Sequence, residues 1–564
     1  MALRVSIHSL TFSDGTRVEL KPDSILVIVG PNNSGKSQAL RDVRHVADVG
    51  GEAAVARNVA WRREGEVADL ESWFNEHCMR QPVERGTFAF RGAQDGIRWD
   101  TAQKLWRRPD ALGHLATFFV SVANTEGRLS IGNDSGPYDR LNTPPQTPVQ
   151  ALFHDEVLER SIAERVHLAF GMQLAVGRGY SSTIPLFCGE RVGLLEGENL
   201  FSRAYLDRLR QVPRLQHQGD GIRSFVGCLL HMYAQTAFVV LIDEPEAFLH
   251  PPQARYLGRL VSEEGSPKHQ LLIATHSADL LRGLLEGEPE RLSILRLTRR
   301  GDVNPACVLQ AGDITELWSD PILRFSSAFD GLFHAAVLVC EADADCRFYS
   351  AVLDAIARKL EKAPPDVLFL PSGGKDRAWI ISKALRACGV RTGVIQDFDA
   401  LRDEASLKRT AESLSIPWPS CEAKLRRVCS AIEQKGPALL KNQVRERIGA
   451  ILDRLTSDRL DQDTTDEIKR ALRASSPWGE AKRLGTRWLP QGEIRSTCSE
   501  LLDLLRTDGL FIVELGQLES FVPSVGGHGP GWVASALQKD LLSDSELADA
   551  RGFGERLYAW ITVS

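Results

Sequence analysis

The chain has 564 residues, 43% of them hydrophobic and 25% charged, with a formal net charge of −6, which excludes a generally basic nucleic-acid coat protein. No apolar run approaches the ~20 residues of a membrane span, and no secretory leader is apparent at the start. The length predicts two to four domains, and we expect no membrane contact. Ten scattered cysteines form no C-x-x-C pair, which favours a reducing, cytoplasmic location.

Short, nearly continuous apolar runs predict strands that are buried on both faces, as in a parallel sheet covered by helices. In the first half the runs are 25–29, 238–242 and 271–274. In the second half they are 337–340, 367–370 and 393–396, with a helix predicted over 345–361. The pattern predicts two successive α/β units with a boundary near 325–335. Residues 50–215 form a long insertion of mixed pieces, and residues 402–505 form an almost wholly helical one.

The run at 25–29 leads into a phosphate-binding pattern. Residues 30–37, GPNNSGKS, fit G-x-x-x-x-G-K-[ST] directly after a predicted strand. In such a loop the backbone N–H groups surround phosphates, the lysine neutralises them and the serine hydroxyl binds Mg²⁺. The predicted nucleotide-binding residues are Gly30, Asn32, Asn33, Gly35, Lys36 and Ser37.

Acidic residues and a histidine follow the other two strands of the first half. Asp243 is predicted to hold Mg²⁺, and Glu244 to orient and deprotonate the attacking water. Thr275-His276-Ser277 follows the next strand and places an imidazole where it contacts the γ-phosphate. Together with the phosphate-binding loop, these residues predict an ATP site.

These three segments resemble the Walker A, Walker B and switch-histidine motifs of ABC-type ATPase heads. The subgroup they resemble contains RecF, SMC and the OLD (overcoming lysogenization defect) nucleases. In that family a signature segment of one subunit caps the nucleotide of another subunit. The matching place here is residues 219–224, which implies nucleotide contacts for Gly219 and Gly221 and a homodimer or higher homo-oligomer through the ATPase heads.

Carboxylates end two strands of the second half. Because side chains alternate along a strand, we expect Asp397 and Asp399 to project to one side, with Phe398 on the other. Crowded carboxylates repel one another, and a divalent cation relieves that repulsion. Glu341 and Asp345 end a different strand and bring further acidic oxygen to the same sheet edge.

This half resembles a TOPRIM domain. The E-G-x-x-D motif of that family is matched by Glu341 and Asp345, with Ala342 in place of glycine, and its D-x-D motif by Asp397 and Asp399. The resemblance implies catalytic roles for Glu341, Asp397 and Asp399, phosphate neutralisation by Lys375, and a late acid in a second metal site. Glu519 is the candidate for that acid and Glu514 the runner-up.

An ABC-type P-loop ATPase followed by a Rossmann-like TOPRIM domain with a helical insertion is the order found in OLD-family nucleases. The domains predicted in this way are 1–330 for the ATPase head, 331–401 with 506–564 for the TOPRIM domain, and 402–505 for the helical insertion. The implied metal ligands are Ser37 and Asp243 at the ATP site, and Glu341, Asp345, Asp397, Asp399 and Glu519 at the TOPRIM site.

The resemblance implies an ATP- and Mg²⁺-dependent hydrolase that cleaves or nicks DNA, in phage defence or DNA repair, with an accessory defence protein as a further candidate partner. Mn²⁺ and Ca²⁺ are alternatives at the TOPRIM site. One alternative function is an ATP-gated ribonuclease acting on tRNA. Another is a non-cleaving ATPase sensor or clamp that acts through a partner, which the replacement of glycine by Ala342 favours.

Overall fold

The computed structural model describes residues 3–562, with gaps at 85–86, 93–94, 138, 181, 265–268, 311, 314–326, 375–376, 436–439, 456–458 and 474–476. The chain divides into two compact units, Met1–Arg324 and Phe325–Ser564. Lys375, predicted for the second site, lies outside the described residues. Within the described ranges, no helix is both long enough and apolar enough to cross a membrane.

The first unit contains a six-stranded sheet that carries the predicted ATP site. The strands of this unit are β1 (Arg4–Phe12), β2 (Arg17–Glu19), β3 (Ile25–Val29), β4 (Ala56–Glu64), β5 (Met79–Glu84), β6 (Thr87–Arg91), β7 (Gly96–Arg98), β8 (Val120–Ala123), β9 (Gln173–Val176), β10 (Leu186–Gly189), β11 (Val239–Asp243), β12 (Gln270–Ala274), β13 (Leu292–Leu297) and β14 (Ala306–Leu309). The large sheet has the order β14-β13-β3-β12-β11-β8. All of its neighbouring strands are parallel except β13 and β14. The three buried strands predicted in this half are therefore confirmed as β3, β11 and β12.

Helices flank these strands and begin or end where the predicted site residues lie. They are α1 (Lys36–Val49), α2 (Val67–His77), α3 (Trp99–Trp106), α4 (Ala116–Phe119), α5 (Thr125–Ser130), α6 (Pro148–His154), α7 (Glu156–Phe170), α8 (Arg203–Leu209), α9 (Asp220–Tyr233), α10 (Pro251–Glu264) and α11 (Ala278–Glu286). The Ser277 side chain accepts the backbone N–H of Leu280 and so caps α11. Three residues, 275–277, separate the end of β12 from the start of α11, and the cap fixes this short segment that carries His276.

The second unit contains a four-stranded, all-parallel sheet of order β16-β15-β17-β18. Its strands are β15 (Ala336–Cys340), β16 (Val367–Pro371), β17 (Arg391–Gln396) and β18 (Leu510–Ile512). Its helices are α12 (Asp343–Lys359), α13 (Ala378–Ala387), α14 (Glu404–Ser413), α15 (Trp418–Gln434), α16 (Lys441–Leu452), α17 (Gln462–Arg473), α18 (Pro477–Leu484), α19 (Glu493–Thr507), α20 (Gly529–Ala536) and α21 (Ala548–Thr562). The helix predicted between β15 and β16 is confirmed as α12, and the mixed α/β class is confirmed in both units.

The core of the second unit packs α12 against the C-terminal helices. Phe348 of α12 lies 5.3 Å from Trp532 and 5.8 Å from Phe521, measured between ring centroids. These aromatic side chains are buried and belong to one apolar cluster with residues of β15 and β18. The cluster holds the sheet from one side and leaves the carboxyl ends of β15 and β17 for polar residues.

Two glycines allow α10 and α11 to pack with their backbones almost in contact. A Cβ atom on Gly283 would lie 1.9 Å from the carbonyl oxygen of Arg255, and one on Gly258 would lie 2.2 Å from that of Leu280. Both distances are far inside van der Waals contact with backbone atoms, which cannot rotate away. Close packing of these helices therefore requires glycine at both positions.

We expect Gly283→Ala to destabilise the first unit by about 1–3 kcal/mol, because the added methyl group forces α10 and α11 apart. Thermal or urea unfolding measures this loss. Gly449→Ala is the matched control, since Gly449 is also helical and has open space around it. The control should be neutral or stabilising by up to about 1 kcal/mol. Equal stability of the two variants would contradict the helix-packing interpretation.

Candidate functional sites

The loop between β3 and α1 holds the predicted nucleotide-binding residues. Gly30 has a φ of 144°, and a Cβ there would lie 2.1 Å from the carbonyl oxygen of Leu297, so only glycine fits. Asn33 and Gly35 are left-handed, with φ of 61° and 96°, and curl the loop into the first turn of α1. The loop contains, in chain order, Gly30, Asn32, Asn33 and Gly35. Backbone N–H groups at a helix start suit an anionic phosphate.

Lys36 and Ser37 are the first two residues of α1. The Lys36 ammonium donates to the carbonyl oxygens of Gly30 and Pro31, each at 2.9 Å, and burial lowers its pKa. The Ser37 hydroxyl donates to the Asp243 carboxylate at 2.8 Å. Burial raises the pKa of Asp243. The structure thus places a hydroxyl and a carboxylate together, an oxygen set that suits Mg²⁺.

Glu244 and His276 meet across the carboxyl ends of β11 and β12. The His276 Nδ1 atom lies 3.2 Å from Glu244 Oε1 and 3.7 Å from Glu246 Oε1. Glu246 is 7% exposed and accepts hydrogen bonds from the Thr275 hydroxyl at 2.7 Å and the His276 backbone N–H at 3.2 Å. Burial raises the pKa of Glu246. Glu246, which was not among the predicted site residues, thus fixes the segment that presents His276.

Arg128 of α5 is a second residue that the sequence did not single out. Its side chain is fully buried and donates to the backbone carbonyls of Asp243 at 2.5 Å, Glu244 at 2.8 Å and Ala123 at 2.8 Å. Its Nε atom donates to the Ser224 hydroxyl of α9 at 3.3 Å. The planar fork of a guanidinium suits several acceptors held in fixed positions. Arg128 therefore ties the end of β11 to β8 and α9.

The hydrogen bonds of Arg128 hold the backbone of Glu244 in an unfavourable conformation. Glu244 has a φ of 50°, a left-handed value that costs a non-glycine residue on the order of 1 kcal/mol. Its N–H donates to the carbonyl of Ala274 at 2.8 Å while its own carbonyl accepts from Arg128. Both ends of this peptide are thus fixed, which determines the direction of the Glu244 side chain.

The start of α9 is the segment expected to resemble the signature of ABC-type heads. Gly219 precedes the helix, and a Cβ on Gly221 would lie 2.8 Å from the carbonyl oxygen of Phe248. Phe248 is itself left-handed, with a φ of 69°, and half exposed. The glycine at 221 lets α9 approach the turn after β11. Contact of Gly219 or Gly221 with nucleotide stays a prediction.

In the second unit, parallel strands bring two predicted acids together. β15 pairs with β17, Glu341 follows β15, and Asp397 follows β17. The backbone N–H of Asp397 donates to the Glu341 carboxylate at 3.5 Å. Burial, and next the charge of Glu341, raise the pKa of Asp397 to about 7. The charge of Glu341 therefore affects the protonation of Asp397.

The expected alternation of Asp397 and Asp399 along a strand is wrong. β17 ends at Gln396, and residues Phe398–Arg402 form a short 3-10 helix. Asp397 accordingly precedes that helix, and Asp399 lies in its first turn. A tight helical turn, and not strand pleating, brings the two carboxylates together.

Lys482 of α18 binds both of these carboxylates and was not predicted. Its Nζ atom lies 3.1 Å from Asp397 Oδ2 and 3.3 Å from Asp399 Oδ1. Burial lowers the pKa of Lys482 but Asp397 and Asp399 raise it, and the net shift is upward. A Cβ on Gly516 would lie 2.1 Å from the Lys482 carbonyl oxygen, so close packing against the 514–516 turn sets the position of the lysine.

The other candidate acids, Asp345, Glu519 and Glu514, differ in what they contact. The Asp345 carboxylate accepts the Ala342 N–H at 2.8 Å, and burial, then Asp397 and Glu519, raise its pKa to about 6. Glu519 accepts the Gly529 N–H at 3.1 Å. Glu514, the runner-up, is bound by Arg506 at 2.6 Å. The electrostatic coupling to Asp345 thus favours Glu519 over Glu514.

Across the part of the chain that the structure describes, no three His, Cys, Asp or Glu side chains are arranged to hold a metal ion. The ammonium of Lys482 binds Asp397 and Asp399 instead. The donor set is nevertheless all carboxylate oxygen, which is the chemistry that Mg²⁺, Mn²⁺ and Ca²⁺ prefer. Burial first, and then the charges of neighbouring carboxylates, raise the pKa values of Asp397 and Asp345.

The chain matches known proteins over part of its length. A family model described as "AAA domain, putative AbiEii toxin, Type IV TA system" matches residues 111–282, which include Asp243, Glu244 and His276. A curated relative, the Old nuclease of Escherichia phage P2, is 24% identical over 172 residues. The resemblance to the OLD nucleases is confirmed. The match covers 29% of this chain and 28% of that relative.

Solved structures of SMC head domains also match, at lower similarity. An SMC head domain from Thermotoga maritima is 14% identical, has a TM-score of 0.29, and is matched over 55% of this chain and 100% of that chain. An SMC head with an extended coiled coil bound to ScpA, from Pyrococcus furiosus, is 11% identical with a TM-score of 0.32, over 56% of this chain and 98% of that chain.

The charge balance around Asp397 predicts a pH-dependent stability. A carboxyl whose folded-state pKa is raised stabilises the protein below its unfolded pKa, and this contribution is lost as the pH rises through the folded value. The wild-type melting temperature should therefore fall between about pH 4 and about pH 7. Asp397→Asn cannot titrate, so at pH 8 it should melt at least about 2 °C above the wild type.

Calorimetric melting between pH 5 and pH 8 measures this difference. Asp343→Asn is the matched control, because Asp343 is an exposed acid at the start of α12 that pairs with Arg347. The control should keep the wild-type pH dependence. A lower melting temperature for Asp397→Asn at pH 8 would contradict the interpretation that this cluster holds excess negative charge.

Proposed function

We propose that this protein hydrolyses ATP in its first unit and uses divalent metal ions in its second unit to cleave DNA phosphodiesters. The observation that carries the nuclease part is that the Asp397 backbone N–H contacts the Glu341 carboxylate while Lys482 binds both Asp397 and Asp399, with a pKa of about 7 at Asp397. The match to the Old nuclease of Escherichia phage P2 supports the same class of activity.

At the ATP site each residue has a role that its contacts support. The loop N–H groups and Lys36 would hold the phosphates, and Ser37 with Asp243 would hold Mg²⁺. Glu244 would accept the proton of the attacking water, and His276, whose Nδ1 lies 3.2 Å from the Glu244 carboxylate, would orient that carboxylate and contact the γ-phosphate. Arg128 keeps the Glu244 backbone in place and acts as a positioning residue.

In the second unit the acids would act as the metal ligands of a TOPRIM-like site. Glu341, Asp397 and Asp399 would hold one ion, and Asp345 with Glu519 a second. Two such ions activate water and stabilise the leaving oxygen. For a metal ion to bind, Lys482 would release Asp397 and Asp399 and pair with the phosphodiester instead. Its positive charge would then stay beside the reacting group. Lys375 would add a second cation for the phosphate.

The biological setting of this proposal follows from the resemblance. ATP would act across a homodimer or higher oligomer of ATPase heads, with Gly219 and Gly221 of one subunit contacting the nucleotide of another. The substrate would be DNA in the cytoplasm, during phage defence or repair, with an accessory defence protein as a candidate partner. RNA, for example tRNA, is the alternative substrate because TOPRIM chemistry fits either backbone.

One observation favours a second candidate function, a non-cleaving ATPase sensor or clamp. The Lys482 ammonium already binds Asp397 and Asp399, and Ala342 replaces the motif glycine. In a sensor the ammonium would replace the metal permanently, and the second unit would recognise a partner. The two candidates differ in one measurable property, metal-dependent strand cleavage.

Nicking of supercoiled plasmid with Mg²⁺ or Mn²⁺, with and without ATP, tests the nuclease proposal, and tRNA in parallel reactions tests the alternative substrate. Asp397→Ala should reduce cleavage by about 100-fold or more, since loss of a metal ligand removes several kcal/mol of transition-state stabilisation. Asp343→Asn should cleave within about twofold of the wild type. Full cleavage by Asp397→Ala refutes the metal assignment. ATP hydrolysis without any cleavage supports the sensor.

We expect Arg128→Lys to lower kcat for ATP hydrolysis by about tenfold or more while KM for ATP changes little. Lysine keeps the buried charge but loses the fixed fork that holds the Asp243 and Glu244 carbonyls. Steady-state phosphate release measures both constants. Arg255→Lys is the control, because Arg255 pairs with Glu286 on the surface of the same unit. Unchanged kcat in Arg128→Lys would exclude the positioning role.

A further inference from the structure

Two helices of the second unit, α16 and α17, form a hairpin that buries almost none of its side chains. The helices pack on each other, and Arg454, just after α16, pairs with Glu467 of α17 at 3.0 Å. Among the described side chains of the two helices, Ile451 alone is buried. The neighbouring helix α15 buries five side chains. The described residues of the hairpin, 440–455 and 459–473, therefore form little core of their own.

The apolar side chains of the hairpin are half-buried or exposed instead. Val444, Ile448 and Leu452 follow one another at four-residue spacing, so they share one face of α16. Ile468 and Leu472 do the same on α17. In the described part of the second unit, seven large apolar side chains are exposed, and four of them lie in the hairpin, at 43% to 70% exposure: Leu440, Leu452, Leu460 and Leu472. Single exposed leucines are ordinary, but a cluster of this kind indicates an interaction surface.

The charges of the hairpin separate along its length. Residues 441–447 and 469–473, where α16 begins and α17 ends, include six basic residues and one acidic residue. Residues 453–455 and 459–467, after α16 and around the first half of α17, include five acidic and two basic residues. Each helix is ~18 Å long, which exceeds the Debye length of about 8 Å at physiological salt. The hairpin thus has a basic end and an acidic end.

A second copy of the same hairpin has the complementary charge pattern. When two hairpins pack in opposite directions about a two-fold axis, the basic end of each faces the acidic end of the other. Their apolar faces then meet and form the core of a four-helix bundle, which a single hairpin cannot form. A nucleic acid is negative along its whole length, so the acidic end would repel it. The charge pattern therefore favours a second copy of this chain as the partner.

We propose that the hairpin is a dimer interface on which the hairpin of a second copy of this chain packs antiparallel to form a four-helix bundle. Leucines of the two copies meet in the bundle core, and Lys441 and Arg445 of each copy face the acidic end of the other. The interface lies in the second unit and needs no nucleotide, so it differs from the proposed association of ATPase heads. It rests neither on ATP hydrolysis nor on strand cleavage.

Sedimentation velocity of the full-length protein without nucleotide tests this interface. The wild type should dimerise as its concentration rises through the micromolar range. Leu452→Glu and Leu472→Glu should each weaken dimerisation by about tenfold or more, because a carboxylate is then buried among leucines. Leu504→Glu is the matched control, since Leu504 is an exposed leucine of α19 outside the hairpin, and it should dimerise as the wild type does. A wild type that stays monomeric at about 100 µM, or dimers that both hairpin variants leave unchanged, overturn the proposal.

Exchanged charges test the antiparallel arrangement. Lys441→Glu combined with Arg445→Glu removes most of the basic end, and Asp453→Lys combined with Asp463→Lys removes the acidic end; all four side chains are exposed. Each double variant alone should dimerise about tenfold more weakly than the wild type. An equal mixture should form heterodimers more tightly than either variant alone, because the first keeps its acidic end and the second its basic end. A mixture that associates no better than its components refutes the antiparallel pairing. Unchanged dimerisation with weakened binding of duplex DNA in the first variant would assign the hairpin to nucleic acid and overturn the proposal.

Discussion

Parallel pairing of buried strands is the constraint on which both candidate sites depend. In a parallel sheet the residues that follow neighbouring strands emerge at one edge. The order β3-β12-β11 places Gly30, Thr275 and Asp243 at such an edge, although Asp243 is more than two hundred residues from Gly30 in sequence. The pairing of β15 with β17 does the same for Glu341 and Asp397. Polar residues therefore meet at these edges, with Thr275 following β12, Glu341 following β15 and Asp397 following β17.

Charge compensation distinguishes the two edges. At the first, Arg128 is buried among carbonyl oxygens, and its positive charge stabilises the carbonyl dipoles of Asp243 and Glu244. At the second, one ammonium faces several carboxylates: burial and then Glu341 raise the pKa of Asp397, while Asp397 and Asp399 raise that of Lys482 against the effect of its burial. A surplus of negative charge held by a rigid backbone destabilises the folded chain and favours binding of cations. The second edge is thus prepared to exchange one cation for another.

The sequence predicted the strands well because apolar runs report burial directly, and β3, β15 and β17 begin or end within two residues of the predicted runs. Adjacent acids such as Asp243 and Glu244 were also predictable, since a motif places them at a strand end. Asp399 was assigned by strand alternation, which fails because the chain turns into a 3-10 helix immediately after Gln396. Local conformation after a strand depends on packing against Gly516, whose carbonyl accepts the Phe398 N–H, and that contact is not visible in a short window.

Lys482 and Arg128 were not predicted because their positions also depend on contacts with distant parts of the chain. Lys482 is 83 residues from Asp399 along the chain and lies on a helix of ordinary amphipathic composition. Its position depends on glycines, since a Cβ on Gly485 would lie 2.0 Å from the Glu514 carbonyl oxygen. A motif search finds lysines next to glycines in loops, not lysines placed by a distant helix–turn contact. Isolated glycines in apparently polar segments are the signal that could have indicated such close packing.

One short helix, α5, lines a cavity beside β8 and also carries Arg128, which binds the carbonyls of Asp243 and Glu244. Gly127 and Ser130 of α5 line the cavity, while Arg128 between them holds the carbonyls of Asp243 and Glu244. A six-residue helix cannot shift at one residue and stay fixed at the next, because its backbone hydrogen bonds couple them. The Arg128 side chain thus links the backbone of α5 to the left-handed Glu244 peptide. The Glu244 peptide is thus held through Arg128 as well as by the carbonyl of Ala274.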